Sequence, residues 1–308
     1  MTVLIGTNNG IVAVGDDGDV SIELVGSIGA LRANPLGCWA TLNRHSVAQR
    51  DRNGSWTVWG LTVDATVTAV LPQRRGALVG TDDARLWTVI DGHAAPVLGF
   101  DAVPGRDTWY AVGSRGPYVR SLSSPPSDAT LLASVHVGGI PRSANRGDTW
   151  APSVDVDADV HEVRAHPDDD SLVMAAAAVG LLRSDDGGAT WAPATGAGLH
   201  ASYLRALAFP SGAVIVSASD GPFGDQVALY RRPLDGGAFE RCAGGLPEWL
   251  PAIVDTGALD ADGSRVVAGT AGRVFVSGDA GSSWRLLAEG LDHVRAVALV
   301  DAPRRPGR

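Results

Sequence analysis

A short motif that recurs along the chain constrains the fold more than any other feature. Residues 184–191 read Ser-Asp-Asp-Gly-Gly-Ala-Thr-Trp, and residues 143–150 and 277–284 follow the same pattern, with Asn for Asp or Ser for Thr. A shorter copy occupies residues 51–56. Asp or Asn accepts hydrogen bonds from backbone N–H groups in a turn, and Gly adopts the positive φ angle that such turns need. Each copy therefore predicts a hairpin turn, with the next strand beginning at the Trp.

The spacing of the copies predicts the architecture. Trp191 follows Trp150 by 41 residues, and Trp284 follows Trp191 by 93, about two periods of the same length. Trp150 follows Trp56 by 94 residues, again about two periods. A repeat of roughly 40–50 residues built from short strands is typical of a β-propeller. With about 44 residues per blade, 308 residues predict seven blades.

The motif resembles the Asp-box, or BNR repeat, found in sialidases, some glucanases, sortilin-type receptors and many bacterial sialidase-like proteins. The resemblance extends over most of the chain. It implies a β-propeller. Together with the spacing, the expected fold is all-β, a seven-bladed β-propeller of four-stranded antiparallel blades. The resemblance implies little about chemistry, because the turn is structural in all these families. We therefore interpret Asp186 and Asp279 as structural residues.

The repeat predicts one domain over residues 1–302. We expect residues 294–300 to pair with the N-terminal blade, which closes the ring and removes an open sheet edge. We expect the Pro- and Arg-rich residues 303–308 to be a disordered tail.

Composition narrows the possible partners and compartments. The net charge of −9 and the lack of a basic tract argue against nucleic acid. No apolar run approaches the ~20 residues that span a bilayer, and residues 1–7 resemble a strand more than a signal peptide. Cys38 and Cys242 fall in blades that are not neighbours, so we expect free thiols and a cytoplasmic location. We expect a monomer.

Three histidines are predicted to meet at one face of the ring. Connections between blades and the turns between the second and third strands share a face, which places His136, His161 and His200 there with Asp220 and Asp255. Imidazoles with a carboxylate suit a divalent metal such as zinc, held by His136, His161, His200 and Asp220. The alternative is three separate loop histidines, each bonded to backbone.

Arginines near the starts of inner strands suggest an anionic ligand, since guanidinium groups bind carboxylates and phosphates in a bidentate manner. We expect Arg120 and Arg205 to bind a substrate anion, and Arg164 to pair with nearby acids such as Asp155, Asp157 or Asp159. The aromatic residues of the long connections either wall the pocket or pack over the blades. These aromatic residues are Trp109, Tyr110, Tyr203 and Trp249. The further arginines of this pattern are Arg32 and Arg295.

Three functions fit these features. The first is a hydrolase, lyase or isomerase for a small anionic molecule, with His161, His200 and Asp255 as catalytic groups. The second is a non-catalytic propeller that binds a protein or glycan. The third is a sialidase, in which the family's Tyr–Glu pair would correspond to Tyr203 and Glu248. The sialidase Arg-Ile-Pro motif is absent from the expected place, and only Glu162 and Glu248 of the five glutamates could reach the mouth.

Overall fold

The computed structural model describes residues 2–16, 18–34, 37–110 and 116–302, and they form a seven-bladed β-propeller. Each blade is a four-stranded antiparallel sheet. The first three blades contain the strands β1 (Thr2–Thr7), β2 (Gly10–Gly15), β3 (Val20–Val25), β4 (Ile28–Asn34), β5 (Gly37–Leu42), β6 (Ser46–Arg50), β7 (Trp56–Gly60), β8 (Val67–Pro72), β9 (Ala77–Thr81), β10 (Leu86–Ile90) and β11 (His93–Pro96).

The strands of the remaining four blades follow in chain order, and the last strand of the chain returns to the first blade. These strands are β12 (Tyr118–Ser123), β13 (Leu131–His136), β14 (Pro141–Ser143), β15 (Ala151–Pro152), β16 (Val160–His166), β17 (Asp169–Ala177), β18 (Gly180–Ser184), β19 (Ala192–Pro193), β20 (Tyr203–Ala208), β21 (Ala213–Ser219), β22 (Val227–Pro233), β23 (Glu240–Arg241), β24 (Leu259–Asp262), β25 (Arg265–Thr270), β26 (Arg273–Ser277), β27 (Arg285–Ala288) and β28 (Val294–Val300). Helix is confined to α1 (Leu98–Asp101) and two short 3-10 turns, Arg106–Thr108 and Val156–Ala158, within the described ranges.

The ring closes in the first blade, as the sequence predicted. Strand β28 is its innermost strand and pairs antiparallel with β1, so that Leu4 faces Ala298 and Ile5 faces Val297. These strand residues are buried, because the alternating apolar side chains of both strands enter the packing between blades. The pairing joins the two ends of the sequence and removes a sheet edge.

The repeated motif forms the turn between the third and fourth strands of a blade. In the copy at residues 184–191, the Asp186 carboxylate accepts hydrogen bonds from the Ala189 and Thr190 backbone N–H groups at 3.0 and 2.8 Å. The Ser184 hydroxyl accepts from the Gly188 N–H at 2.8 Å, and Gly188 has a positive φ of 82°. The Trp191 indole N–H returns to the Gly188 carbonyl. The copies ending at Trp150 and Trp284 make the same indole bond, so the turn chemistry predicted from sequence is confirmed.

Strand direction gives the ring two distinct faces. Each inner strand begins at the face where blade-to-blade connections and the turns between second and third strands lie, which we call the mouth face. The motif turns lie on the opposite face. The core fills the spaces between blades: Phe100, for example, is fully buried and its ring packs 5.7 Å from Trp109 and 5.0 Å from Trp150. Burying such a side chain contributes about 1.5–3 kcal/mol.

Three details refine the predictions from sequence. The inner strand of blade seven begins at Leu259, so Asp255 precedes the strand and lies in a turn, because Gly257 takes a positive φ of 77° and the Ala258 N–H bonds to the Asp255 carbonyl. Cys38 and Cys242 are buried free thiols. Across the described ranges, no helix has the length and apolarity required to cross a bilayer. The predicted tail at residues 303–308 lies outside the described residues.

Candidate functional site

Two contiguous cavities open at the mouth face. The channel cavity, of about 270 Å³, lies between inner strands and is lined by Arg32, Arg120, Glu162 and Asp255 among others. The rim cavity, of about 520 Å³, lies beside blades two and three. The two cavities share the lining residues Gly29, Thr66, Val67, Thr68, Tyr118 and Arg295.

Two arginines converge on one carboxylate at the mouth. Arg120 Nη2 and Arg205 Nη1 lie 2.9 and 3.2 Å from the same Asp255 oxygen, Oδ1. The three residues belong to blade four, blade six and the connection into blade seven, so segments far apart in sequence meet here. Loss of hydration would raise the pKa of Asp255, yet the two guanidinium groups outweigh it and hold the pKa at about 2. Asp255 is therefore an anion at neutral pH.

One guanidinium retains an unused donor. The Nε of Arg205 is buried and has no hydrogen-bond partner among the described residues, while Nη2 donates to the Pro222 carbonyl at 3.3 Å. Because two cations share one carboxylate oxygen at Asp255, this side of the mouth has donors to offer an incoming oxyanion.

Next to this cluster, two imidazoles flank a second carboxylate. His136 Nε2 lies 3.6 Å from Asp159 Oδ1, and His161 Nε2 lies 3.5 Å from Asp159 Oδ2. His136 keeps part of its surface exposed, whereas the His161 side chain is completely buried. His136 is thus the imidazole that can meet a ligand, and His161 lies buried behind Asp159.

The tautomer of neutral His161 follows from its hydrogen bond. Its Nδ1 contacts the Leu204 backbone carbonyl, which is an acceptor only, so Nδ1 carries the proton. Nε2 then presents a lone pair toward Asp159. Burial lowers the pKa of His161, the nearby Asp159 opposes this, and the positive charge of Arg120 adds to the lowering.

The pKa of His136 is also lowered. Burial is the main cause, Arg120 adds to it, and Asp159 opposes it. A neutral imidazole beside an ionised carboxylate is suited to accept a proton at neutral pH, because the carboxylate stabilises the imidazolium that forms.

Asp159 owes its position to a short turn that the sequence analysis did not single out. The Asp155 carboxylate accepts from the Asp157 N–H at 2.9 Å and caps the 3-10 turn Val156–Ala158, and Asp159 ends that turn in the left-handed region at φ 45°. From sequence, Asp159 is predicted only as a partner for Arg164. The signal available for Asp159 is its position: it lies directly before an inner strand and two positions before a histidine, in a left-handed conformation.

Two tyrosines frame the cluster. Tyr118 stacks on His136 with ring centroids 5.1 Å apart and lines both cavities. Tyr203 packs against His161 at 4.7 Å, and the Arg205 guanidinium lies 5.4 Å from the Tyr203 ring. Tyr203 was predicted as a wall of the pocket, whereas Tyr118 was not identified from sequence.

His200 does not join the other two histidines. Its Nδ1 contacts the Tyr230 hydroxyl at 2.8 Å and its Nε2 contacts the Gln226 carbonyl at 3.0 Å, so both ring nitrogens are occupied within blade six. Trp249 packs against it at 5.0 Å. His200 corresponds to the alternative prediction, a loop histidine bonded locally.

The predicted ligand set for a metal does not converge. Asp220 is exposed after the end of β21, and His200 is held elsewhere. Throughout the described part of the chain, no three His, Cys, Asp or Glu side chains are grouped as metal ligands. The proposed zinc shell of His136, His161, His200 and Asp220 is corrected accordingly, because the ring geometry separates its members.

The tryptophans predicted to wall the pocket pack elsewhere. Trp109 is buried against Phe100 and lies under the Arg106 guanidinium, 4.7 Å from its ring. Trp249 is covered by Arg241 at 4.1 Å. Neither lines the channel or the rim cavity, so both follow the alternative of loop packing.

A second ion-pair network lies deeper in the channel. Glu162 Oε1 accepts from Arg32 at 3.2 Å and from Arg164 at 3.1 Å, and Arg164 also pairs with Asp260 at 2.9 Å. The pairing predicted for Arg164 is therefore present, with different acids. Glu162 is completely buried and its second oxygen accepts from the Leu207 N–H, so it is not available as the glutamate of a sialidase pair.

Comparison with known proteins shows the fold alone. No family model matches the chain, and no curated protein matches its sequence. A GH74 xyloglucanase from Xanthomonas campestris superposes with a TM-score of 0.61 at 17% identity, over 93% of this chain and 46% of the enzyme. The WD40 repeats of RRP9 superpose with a TM-score of 0.63 at 12% identity, over 96% of this chain and 88% of the RRP9 chain. Virginiamycin B lyase from Staphylococcus aureus superposes with a TM-score of 0.60 at 12% identity, over 95% of this chain and 89% of the lyase.

These neighbours are β-propellers that include a glycoside hydrolase, a lyase and WD40 repeats, so the fold is shared by proteins of different kinds. The chain spans less than half of the xyloglucanase. Function must therefore be argued from the side chains at the mouth.

Proposed function

We propose that this propeller is an enzyme that transfers a proton to or from a small anionic molecule bound at the mouth. The observation that carries the proposal is the His136–Asp159–His161 cluster beside Arg120 and Arg205. Acid–base groups and anion-binding groups are adjacent there, which is what a hydrolase, lyase or isomerase for an anionic substrate requires.

In this proposal, Arg205 is the principal anion-binding residue. Its contacts to Asp255 and to the Pro222 carbonyl are long, at 3.2 and 3.3 Å, so a substrate oxyanion can replace them without breaking the Arg120–Asp255 pair. Tyr118 and Tyr203 would exclude water from the reacting group, because their rings cover the two imidazoles.

His136 is the proposed general base or acid. It is the more exposed imidazole of the cluster, and Asp159 lies where it can orient the ring and stabilise its protonated form. His161 has a structural part in this proposal: its bond to the Leu204 carbonyl fixes its ring, and the buried ring packs behind Asp159. Asp255 holds the arginines rather than reacting.

The test is a screen for proton exchange. Small carboxylates and phosphate esters are incubated with the intact protein in D2O and followed by proton NMR for deuterium incorporation or product. His136→Ala should reduce the rate by about 10²- to 10⁴-fold, the usual contribution of a general acid or base. His93→Ala is the matched control, since His93 is exposed near the opposite face and its Nδ1 contacts the Asp91 carbonyl.

The rate of proton exchange should also depend on pH in a defined direction. Burial and Arg120 lower the pKa of His136 below the ordinary histidine value of about 6.5. If His136 acts as the base, the rate should rise with pH and be half-maximal below pH ~6.5; if it acts as the acid, the rate should fall over the same range. A rate unaffected by His136→Ala would remove His136 from the mechanism.

A non-catalytic propeller remains the second candidate, for one specific reason. The Arg120–Asp255–Arg205 contacts join blades four and six to the connection entering blade seven, so they also serve as cross-links of the ring. A protein that binds anions from the screen but turns over none of them would favour this alternative.

A further inference from the structure

The rim cavity lies beside blades two and three and reaches the histidine cluster at Tyr118, which stacks on His136. It has a volume of about 520 Å³, which is within the usual range for small-molecule sites. It contains hydroxyl groups, two guanidinium groups and one carboxylate. Its polar lining residues are Ser27, Thr41, Arg44, Thr66, Thr68, Asp82, Tyr118 and Arg295.

The two arginines of this cavity are not neutralised by ion pairs. Arg44 donates from Nε and Nη2 to the Thr66 hydroxyl at 3.2 and 3.0 Å, and Arg295 donates from Nε to the Asn8 side-chain oxygen at 3.0 Å. In the described chain, neither guanidinium lies within ion-pair distance of a carboxylate, unlike Arg120 and Arg205, which share Asp255. Their remaining N–H donors are free to face the cavity.

The single acid of the cavity is already engaged. Asp82 accepts a hydrogen bond from the Thr66 backbone N–H at 2.7 Å, which holds the turn that carries it. The lining therefore contains two cations and one anion, and its local charge is positive in a protein whose net charge is −9. Such a concave positive site attracts and retains anions.

The floor of the cavity is kept open by a glycine. A Cβ built on Gly29 would lie 2.7 Å from the Thr41 hydroxyl oxygen, which itself accepts from the Ala30 N–H at 2.8 Å. Larger residues at position 29 would therefore displace Thr41. Thr68 donates to the Val119 carbonyl at 2.6 Å, which leaves its oxygen lone pairs available as acceptors for a hydroxylated ligand.

We propose that the rim cavity is a second oxyanion site, which binds a carboxylate or phosphate group between Arg44 and Arg295. Because Tyr118, Thr66 and Arg295 line both cavities, one molecule can extend from this site to Arg120 in the channel cavity. The ligand class is then a molecule with an acidic group at each end. This last step rests on the proposed function, whereas anion binding at the rim does not.

The first experiment measures binding of inorganic phosphate and of acetate to the intact protein by isothermal titration calorimetry. The double variant Arg44→Gln with Arg295→Gln should weaken phosphate binding by about tenfold or more, since charged hydrogen bonds contribute about 1.5–3 kcal/mol. If phosphate binds more strongly than acetate, the acidic group of the natural ligand is a phosphate. If acetate binds more strongly, that group is a carboxylate. Arg74→Gln is the control, because it removes one positive charge from an exposed residue in a turn of the opposite face.

The second experiment compares molecules with one and two acidic groups. A dicarboxylate such as glutarate should bind more tightly than butyrate to the wild type, and Arg44→Gln with Arg295→Gln should remove that advantage. Unchanged phosphate and glutarate binding in the double variant, or no anion binding by the wild type at millimolar concentration, would overturn the rim site. His136→Ala tests the proposed chemistry separately. If that test fails, the binding experiments on the rim cavity still decide whether anions bind there.

Discussion

At the scale of the residue, the protonation states of the titratable side chains at the mouth depend on burial and on neighbouring charges as well as on residue type. His161 is completely buried, its Nδ1 contacts a backbone carbonyl and its Nε2 has no hydrogen-bond partner within the described part of the structure. Burial disfavours its protonated form more than Asp159 favours it. The folded protein therefore holds this imidazole neutral over a range of pH in which the unfolded chain binds a proton.

This difference predicts how acid affects stability. The folded pKa of His161 lies below the unfolded value of about 6.5, so the unfolded state binds more protons as the pH falls through that value, and the free energy of unfolding decreases. His161→Asn keeps a donor for the Leu204 carbonyl but does not titrate. The loss of stability between pH 7 and pH 5, measured by urea unfolding, should be smaller in this variant than in the wild type.

His45→Asn is a suitable control, because His45 is exposed and its Nδ1 contacts the Ala65 carbonyl. If His161→Asn and the wild type lost stability in parallel on acidification, the burial of a neutral imidazole would not contribute to the acid sensitivity.

At the scale of the element, the innermost strands do most of the positioning. Tyr118, His161 and Tyr203 lie at or next to the first residue of β12, β16 and β20, so the common direction of these strands brings them to one face. Strand β28 has the additional task of closing the ring, since it is the first blade's inner strand although it is last in sequence.

The closing strand provides a test of the domain boundary. A chain that ends after Ala302 retains all of β28 and should have the same thermal unfolding midpoint as residues 1–308. A chain that ends before Val294 lacks the strand that pairs with β1, which exposes a sheet edge and the apolar residues Leu4 and Ile5. We expect it to aggregate or to lose cooperative unfolding in calorimetry. Native-like unfolding of the shorter chain would contradict the role of β28.

At the scale of the whole molecule, buried charges connect blades across the channel. Glu162 of blade five accepts hydrogen bonds from Arg32 of blade two and the Leu207 N–H of blade six. Arg164 continues the network to Asp260 of blade seven, whose other oxygen accepts from the Leu299 N–H of blade one. Five of the seven blades are thus tied to one network at the centre of the ring.

The network predicts unequal effects for its members. Glu162→Gln would leave Arg32 and Arg164 buried without their shared carboxylate, and should lower the free energy of unfolding by about 3–5 kcal/mol. Burial and repulsion from Arg164 lower the pKa of Arg32 to about 10, so Arg32→Met removes a poorly solvated charge while Glu162 keeps Arg164. That variant should change stability by about 1 kcal/mol or less.

Chemical denaturation of both variants at pH 7 measures the two effects. If Glu162→Gln and Arg32→Met lowered the free energy of unfolding equally, Glu162 and Arg32 would act as an ordinary ion pair. Glu162 would then not act as one carboxylate shared by two guanidinium groups.

The number of blades, their four-stranded sheets and the closing strand were predicted from sequence because the information is local. A Ser-Asp-Gly-Trp turn depends on residues within four positions of one another, as the bonds of Asp186 to Ala189 and Thr190 show. Its repetition at a regular spacing then specifies the ring. The same logic placed His136, His161, Arg120 and Arg205 toward one face, since strand direction follows from the repeat.

Only the tertiary structure decided which charged groups meet. Arg120 reaches Asp255 across 135 positions and Arg32 reaches Glu162 across 130, whereas His200 turns to Tyr230 within its own blade. Nothing in the local sequence distinguishes these histidines and arginines, because their partners are selected by the curvature of the ring and by the packing of each inner strand. The β-propeller is therefore determined by short-range turn chemistry, and the contents of its mouth by long-range contacts.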